Sequence, residues 1–137
     1  MAADTTKSLD GIGSGTLPDQ GIDSESATDI DLGIDLGTTR TVVARADRGN
    51  YPVISFTDEH GDEHDFIPSL TALHEGALVH GFAARQAAYQ GAPLLRSLKR
   101  VLASPTLTAS TPVRLGDQTF SVLEVLTSFL RHLESEL

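Results

Sequence analysis

Asp35 and the glycine–threonine turn that follows it have the residue types and spacing that suit phosphate binding. Gly37 lacks a Cβ, so its backbone can approach a ligand closely or take a positive φ. Successive amides from Gly37 through Arg40 could converge on an anion, and the hydroxyls of Thr38 and Thr39 add further donors. Asp35 is a hard oxygen ligand suited to Mg²⁺, directly or through water. The residues indicate either a phosphate–magnesium cradle or an ordinary hairpin whose turn contains Gly and Thr.

Two short apolar runs flank this turn and predict the strands that position it. Ile34 and Leu36 alternate with smaller or polar residues before the turn, and the β-branched run Thr41–Val43 follows it. Apolar and β-branched runs around a small-residue turn are typical of a β-hairpin. The carboxylate of Asp35 is therefore expected at the edge of the turn.

A lysine further along the chain is a second candidate for contact with phosphate. The spacing predicts a helix that begins near Pro93, with one apolar face made of Leu94, Leu95, Leu98, Val101 and Leu102. At about 100° per residue, Lys99 lies at the border of that face, whereas Arg100 points well away. A lysine there can lay its stem along the core while its ammonium reaches a cleft. Geometry alone favours an ordinary surface lysine.

Between these candidates the sequence predicts short strands and one helix. Arg48–Asn50 predicts a turn, and Tyr51–Phe56 predicts a strand. Further strands are predicted around Pro68, where proline confines the chain to a strand edge or start, and over Ala77–His80. The segment Gly81–Gly91 predicts a helix that Gly91 closes.

The segment Thr57–Asp65 concentrates carboxylates and two histidines, His60 and His64, which are residue types that bind metals. The spacing matches no zinc helix and no calcium loop. Gly61 lies at the centre, as a turn glycine does. A solvated hairpin turn is therefore preferred over a metal site.

The remainder of the chain predicts a loop, a hairpin and a long helix. The loop covers Ser104–Thr111, and Gly116–Asp117 forms the hairpin turn. Ser121 and Glu124 have the spacing of a capping box. The apolar face of the following helix is expected to bury Val122, Val125, Leu126, Phe129, Leu130 and Leu133. No terminating glycine or proline follows before Leu137, which suggests a chain cut off within the fold.

Composition limits the possible functions. The chain has 137 residues, enough for one modest domain or a part of a larger one. A net charge of −9 argues against nucleic acid as a partner. The absence of cysteine excludes disulfides and thiolate chemistry. No apolar run is long enough to cross a bilayer, and the amino terminus lacks a secretory pattern, so a soluble, cytoplasmic protein without a membrane partner is expected.

The first 28 residues are rich in Asp, Ser, Thr and Gly and predict a disordered tail, with residues 29–137 as the folded part. The stretch Gly11–Gly15 superficially suggests a nucleotide-binding loop. No strand pattern precedes it and no helical pattern follows it, so it is interpreted as a linker.

Taken in order, several motifs resemble those of the Hsp70 chaperones, within the larger actin/sugar-kinase/Hsp70 ATPase superfamily. Gly33–Thr39 is similar to their first phosphate-binding motif, which sugar kinases share in similar form. Later motifs resemble the family's Thr-Pro-Ser strand, its Gly-x-x-Ala-x-x-Gln stretch, its Lys-Arg-Leu-Ile signature and the hairpin leading into its next helix: Ile67–Ser69, Gly81–Ala87, Leu98–Leu102 and Thr119–Val125.

The resemblance covers roughly residues 30–137 and implies a ribonuclease-H-like, actin-like α/β ATPase fold. The chain would hold only the first part of lobe I of that fold. The implied function is that of an ATP-dependent protein-folding chaperone of the stress response, which hydrolyses ATP to ADP and phosphate and works with unfolded client polypeptides and co-chaperones. The family's second phosphate motif, adenosine-binding motif and peptide-binding domain are not in this sequence, so the chain alone is expected to bind ATP weakly and not to turn over.

The resemblance also implies roles for matching residues. Asp35 would hold Mg²⁺, mainly through water, as part of the catalytic machinery. Gly37–Thr39 would wrap the β- and γ-phosphates of ATP, with Arg40 beside them. Lys99 would reach the γ-phosphate and help to position the attacking water, stabilising negative charge as it develops.

The sequence departs from the family pattern at two places. Arg40 replaces a smaller polar or aromatic residue, which could alter the phosphate contacts or the partners of the hairpin. The run Val101–Ser104 lacks the usual Gly-Arg, so the end of that helix is not predicted. The alternatives are a fragment of a sugar-kinase-type member of the same superfamily and a degenerate module that only contacts other proteins.

Overall fold

The structure, a computed structural model, describes residues 30–137. The predicted tail over residues 1–28 and the Gly11–Gly15 linker lie outside the described residues. Residues 30–137 form a mixed α/β structure of small antiparallel sheets and helices, as the sequence predicts at that level. No helix within the described residues is long and apolar enough to cross a membrane.

Ten strands and three helices follow one another in the described residues. The strands are β1 (Leu32–Leu36), β2 (Arg40–Arg45), β3 (Phe56–Thr57), β4 (Glu63–His64), β5 (Ile67–Pro68), β6 (Thr71–His74), β7 (Ala77–His80), β8 (Leu94–Leu95), β9 (Pro112–Leu115) and β10 (Gln118–Ser121). The helices are α1 (Gly81–Tyr89), α2 (Leu98–Leu102) and α3 (Val122–Glu136). The strands pair as two three-stranded sheets, β1–β2–β5 and β7–β6–β8, and two hairpins, β3–β4 and β9–β10.

The predicted hairpin of β1 and β2 is confirmed. Ile34 lies opposite Val43, and Asp35 lies opposite Val42. Strand β5 pairs with the other edge of β2, close to the turn, where Thr41 lies opposite a residue of β5. Strand β2, which follows the turn, is therefore paired on both edges near the turn, with β1 on one edge and β5 on the other.

The segment predicted as a strand over Tyr51–Phe56 pairs only in part. A tight turn with positive φ at Arg48 and Gly49 (50° and 88°) returns the chain beside β2. The amide of Ile54 then donates to the carbonyl oxygen of Val43 at 2.8 Å, but the pairing there is an isolated bridge. Because β5 occupies the same edge of β2 nearer the turn, a longer ladder has no room, and regular pairing resumes only in β3.

The helix predicted to begin near Pro93 begins at Leu98, so the prediction for Leu94 and Leu95 is wrong. These two leucines form β8, which pairs with the edge of β6. Backbone pairing with β6 outweighs their helical propensity, as tertiary context often does. Ser97 then caps α2, its hydroxyl accepting a hydrogen bond from a backbone amide one turn later.

The other two helices begin where the sequence predicts. Helix α1 ends at Tyr89, and Gly91 follows with a φ of 89°. Helix α3 opens with the predicted capping box: the amide of Glu124 donates to Ser121 Oγ at 3.1 Å, and the amide of Ser121 donates to Glu124 Oε2 at 2.6 Å. The predicted burial of Leu130 is wrong, because 42 % of this residue is exposed and nothing among the described residues covers it.

One hydrophobic core joins the hairpin to all three helices. It contains Val43 of β2, Ile67 of β5, Phe82 of α1, Leu98 of α2 and Phe129 of α3. The two predicted phosphate-contacting elements, the turn after β1 and the helix that carries Lys99, therefore rest on a common core.

Candidate functional site

The turn between β1 and β2 is tight because of Gly37. Its amide donates to the carbonyl oxygen of Arg40 at 3.0 Å. A Cβ on Gly37 would collide with that same oxygen, which belongs to the backbone and cannot easily move. The amide of Gly37 is thus used within the turn, and what this residue offers a ligand is the absence of a side chain.

Thr38 and Thr39 form the exposed tip of the turn. Neither of their amides donates to a backbone carbonyl of residues 30–137. The carbonyl oxygen of Thr39 accepts a hydrogen bond from the amide of Ser69 at 3.1 Å, which anchors the tip to the end of β5. Two amides and two hydroxyls at such a tip are suitable donors for phosphate oxygens.

Asp35 is exposed on the face of the hairpin that is turned away from α3. This follows from the alternation of side chains along a strand, because its neighbour Ile34 lines a groove with α3. No cluster of three or more metal-binding side chains exists within residues 30–137. Asp35 would therefore suit Mg²⁺ only together with phosphate and water, which is how Mg²⁺ is commonly bound beside nucleotides.

Arg40 is held on the β5 side of the turn. Its guanidinium carbon lies 4.8 Å from the centre of the Phe66 ring, within the range of a cation–π contact. Next to it, Thr41 Oγ1 and Ser69 Oγ form a buried hydrogen bond of 2.8 Å. These two contacts fix the hairpin to the segment that follows β4.

Lys99 is the second residue of α2 and is exposed, whereas its neighbour Leu98 is buried in the core. No hydrogen bond or ion pair within the described chain joins Lys99 to Asp35 or to the turn. Asp35 and residues 37–40 are therefore brought together by one hairpin, while Lys99 lies on a separate element.

Asp58 organises the segment that the sequence predicts as a solvated hairpin turn. The β3–β4 hairpin is confirmed, but the side chain of Asp58 is only 5 % exposed. Its Oδ1 accepts from the amides of His60 and Asp62 at 2.9 and 3.1 Å, and its Oδ2 lies 2.9 Å from His64 Nε2. The hydrogen bond with His64 and those from the two amides hold the pKa of Asp58 well below its usual range. Arg85 reaches the same carboxylate at 3.4 Å.

A second polar cluster, which the sequence analysis missed, lies around His80 at the end of β7. Its Nδ1 is 2.9 Å from Thr71 Oγ1, and its Nε2 is 2.7 Å from Ser128 Oγ. The ring is packed against Phe129 and His132, with ring centres 5.6 and 5.7 Å away. Burial, with a smaller contribution from His132, lowers the pKa of His80 to about 4. The imidazole is therefore neutral at neutral pH. The one feature of the sequence that could have indicated this cluster is Ser128, a serine within the apolar face of α3.

Comparison of the chain with protein-family models finds no match, and comparison with curated proteins finds no significant match.

Proposed function

We propose that residues 29–137 form the phosphate-binding part of an Hsp70-type ATPase domain, the nucleotide-binding unit of an ATP-dependent protein-folding chaperone. The observation that supports this proposal best is the exposed Thr38–Thr39 tip. It carries donors without backbone partners in residues 30–137, on a turn that Gly37 keeps tight, next to the exposed carboxylate of Asp35. Such a tip offers what a nucleotide's terminal phosphates and their Mg²⁺ require.

In this proposal each residue has a distinct role. The amides and hydroxyls of Thr38 and Thr39 bind the β- and γ-phosphates of ATP, and Asp35 holds Mg²⁺, mainly through water. Mg²⁺, when bound, would neutralise charge on the phosphates. Lys99 approaches the γ-phosphate from α2 and positions the attacking water. Arg40, stacked on Phe66, supports the turn and adds positive charge beside it.

The proposed fold is the first part of lobe I of a ribonuclease-H-like, actin-like ATPase. The β1–β2 hairpin would begin the central sheet, and the segments from β3 to α2 would form the outer part that carries Lys99. The chaperone would act on unfolded client polypeptides in the cytoplasm, and co-chaperones would assist it. The opposing wall of the nucleotide cleft is absent from this sequence, so this chain alone would bind Mg-ATP weakly and not hydrolyse it.

Titration of the ¹⁵N-labelled 137-residue chain with Mg-ATP tests the proposal. We expect a dissociation constant of about 1 mM or weaker, equivalent to about −4 kcal/mol, because only a few charge-assisted hydrogen bonds form. The amide signals of residues 35–40 should shift. Thr38→Ala should reduce the shifts, whereas Thr119→Ala, an exposed threonine of β10, is a matched control. Micromolar affinity, or no change at the turn at about 10 mM Mg-ATP, would contradict the proposal.

A second candidate, a module that contacts other proteins and binds no nucleotide, is favoured by a different observation. Leu32, Ile34 and Leu130 are all about 40 % exposed or more and line one groove. If the titration with Mg-ATP leaves the turn unchanged, this candidate becomes the better account of the chain.

A further inference from the structure

Arg40 lies on the same face of its sheet as Asp35. Asp35 lies opposite Val42, and residues directly opposite each other in an antiparallel pair share a face. Arg40 is two positions before Val42, so the alternation of side chains along β2 places it on that face too. Asp35 precedes the Thr38–Thr39 tip on β1, and Arg40 follows the tip on β2. A carboxylate and a cation therefore flank the tip on one face.

The guanidinium of Arg40 contacts an aromatic ring and not a carboxylate. Its central carbon lies 4.8 Å from the centre of the Phe66 ring. No ion pair within residues 30–137 joins it to Asp35 or to another carboxylate. A guanidinium stacked on an aromatic face keeps the N–H donors at its edge available, and these donors match the oxygens of a phosphate in pairs. Arg40 therefore presents a cation with available donors beside the tip.

The ring of Phe66 is itself held by other side chains. The ring centres of His64 and Phe82 lie 5.4 and 6.4 Å from its own. His64 is held in turn by Asp58, whose Oδ2 lies 2.9 Å from His64 Nε2. A ring fixed in this way restricts the conformations of Arg40 and so lowers the entropy that Arg40 loses when it binds a ligand. Phe66 is thus a positioning residue for Arg40.

The order of the groups along the hairpin favours a terminal phosphate as the partner of Arg40. In the proposed function, on which this inference rests, Thr38 and Thr39 bind phosphates and Asp35 holds Mg²⁺. A row of phosphates that crosses the tip from the side of Asp35 ends on the side of β2, where the guanidinium lies. A terminal phosphate carries about two negative charges at neutral pH, because its second pKa is about 6. It is therefore the phosphate that a guanidinium with paired donors binds best.

We propose that Arg40 recognises the third phosphate of a nucleoside triphosphate and makes the turn prefer triphosphates over diphosphates. A diphosphate is one phosphate shorter, so Mg-ADP engages the tip and leaves the guanidinium on Phe66. The γ-phosphate of Mg-ATP engages the edge of the guanidinium while the ring continues to hold its face. This role differs from that of Lys99, which approaches from α2 and positions the attacking water.

Titration of the full ¹⁵N-labelled chain with Mg-ATP and with Mg-ADP tests this preference. We expect Mg-ATP to bind about fivefold more tightly than Mg-ADP, and the side-chain Nε–H signal of Arg40 to shift only with Mg-ATP. Arg40→Ala should lower the preference to less than about twofold. Arg45→Ala is the matched control, because it removes the same charge from an exposed position of β2 roughly 17 Å along the strand, beyond the screening length of physiological salt. It should leave the preference unchanged.

Variants of Phe66 separate a positioning role from a purely structural one. Phe66→Leu keeps an apolar side chain but removes the aromatic face, so the preference for Mg-ATP should fall about twofold or more. Added to Arg40→Ala, the same substitution should change the preference no further, because the guanidinium through which Phe66 acts is already gone. Phe66→Tyr keeps the aromatic face and should keep the preference of the parent chain.

The outcomes distinguish this inference from the proposed function. If both nucleotides shift the amide signals of the tip but Arg40→Ala weakens them equally, or no more than Arg45→Ala does, Arg40 supplies only general charge and the inference is overturned. A preference that Phe66→Leu lowers even in the Arg40→Ala chain would show that Phe66 does not act through the guanidinium. If neither nucleotide shifts the tip, the proposed function fails and this inference fails with it.

Discussion

His80 Nε2 and Ser128 Oγ lie 2.7 Å apart, and this hydrogen bond joins the end of β7 to the middle of α3 across 48 positions of sequence. The other ring nitrogen is 2.9 Å from Thr71 Oγ1, so the imidazole connects both strands of the β6–β7 pair to the helix. Only 3 % of His80 is exposed. The cluster is therefore a buried link between two parts of the molecule, and its protonation and its hydroxyls can be tested separately.

Acid should destabilise the chain before its carboxylates are protonated. Burial lowers the pKa of His80 to about 4 from an ordinary value of 6.5. Between those values the unfolded chain binds a proton that the folded chain does not, so stability is fully present above pH 6.5 and falls as the pH drops towards 4. The loss should reach about 3 kcal/mol. His132, whose pKa burial also lowers, acts in the same direction. Urea unfolding at a series of pH values measures the effect.

The contribution of Asp58 to the free energy of unfolding can be separated from that of the histidines, because it is lost over a lower pH range. Its pKa is lowered in the folded state by the hydrogen bond with His64, so its stabilisation is fully present above about pH 3.8 and is lost progressively as the pH falls below that value. An NMR titration of the imidazole signals is the control for the prediction about His80. If the ring of His80 titrates near 6.5 in the folded chain, the pH prediction is wrong.

Removing the hydroxyl of Ser128 should destabilise the fold at neutral pH. Ser128→Ala leaves a buried ring nitrogen of His80 without its partner, which should lower the free energy of unfolding by about 1–3 kcal/mol. Ser135→Ala is the matched control on the same helix. Its hydroxyl donates to the carbonyl oxygen of His132 at an exposed position, so the change should stay within about 0.5 kcal/mol. Urea unfolding of both variants at pH 7 compares them, and equal effects would show that the His80 link contributes nothing.

Elements with local signals were predictable from the sequence. The turn around Gly37, the glycine that follows α1 at Gly91, and the capping box of Ser121 and Glu124 each depend on residues a few positions apart. The placement of Asp35 and residues 37–40 on one hairpin was predictable for the same reason, whereas phosphate binding by these residues stays a prediction.

Features that depend on distant partners were not predictable. Leu94 and Leu95 fit a helical period, but the free edge of β6 pairs with them instead. The link between His80 and Ser128 depends on how α3 packs against the β6–β7 pair, which no local pattern specifies. The position of Lys99 relative to the turn also depends on distant partners. Helix α2 and the β1–β2 hairpin share a core, but no hydrogen bond within the described residues joins Lys99 to the turn.

Two glycines on the same hairpin should respond oppositely to alanine. Gly37→Ala places a Cβ against the carbonyl oxygen of Arg40, so the turn must open, at an expected cost of about 1–3 kcal/mol. Gly33→Ala meets no atom within 4 Å and should be neutral or stabilise the strand by about 0.5 kcal/mol. Thermal unfolding of both variants measures the difference. If Gly37→Ala is as stable as the parent chain, the turn is not held by the close approach described here.

Lys99 and Arg100 are adjacent exposed cations of α2, and replacing each by alanine separates a phosphate contact from general surface charge. Both side chains lie in solvent, so neither variant should change the free energy of unfolding by more than about 0.5 kcal/mol. If Lys99 approaches the γ-phosphate, Lys99→Ala should weaken binding of Mg-ATP about fivefold, equivalent to about 1 kcal/mol. Arg100→Ala removes the same charge one position away and should weaken it by less than about twofold. The amide shifts of the turn during titration with Mg-ATP measure both constants. Equal weakening by the two variants would show that Lys99 acts only through the net charge of the helix and that the turn binds phosphate without it.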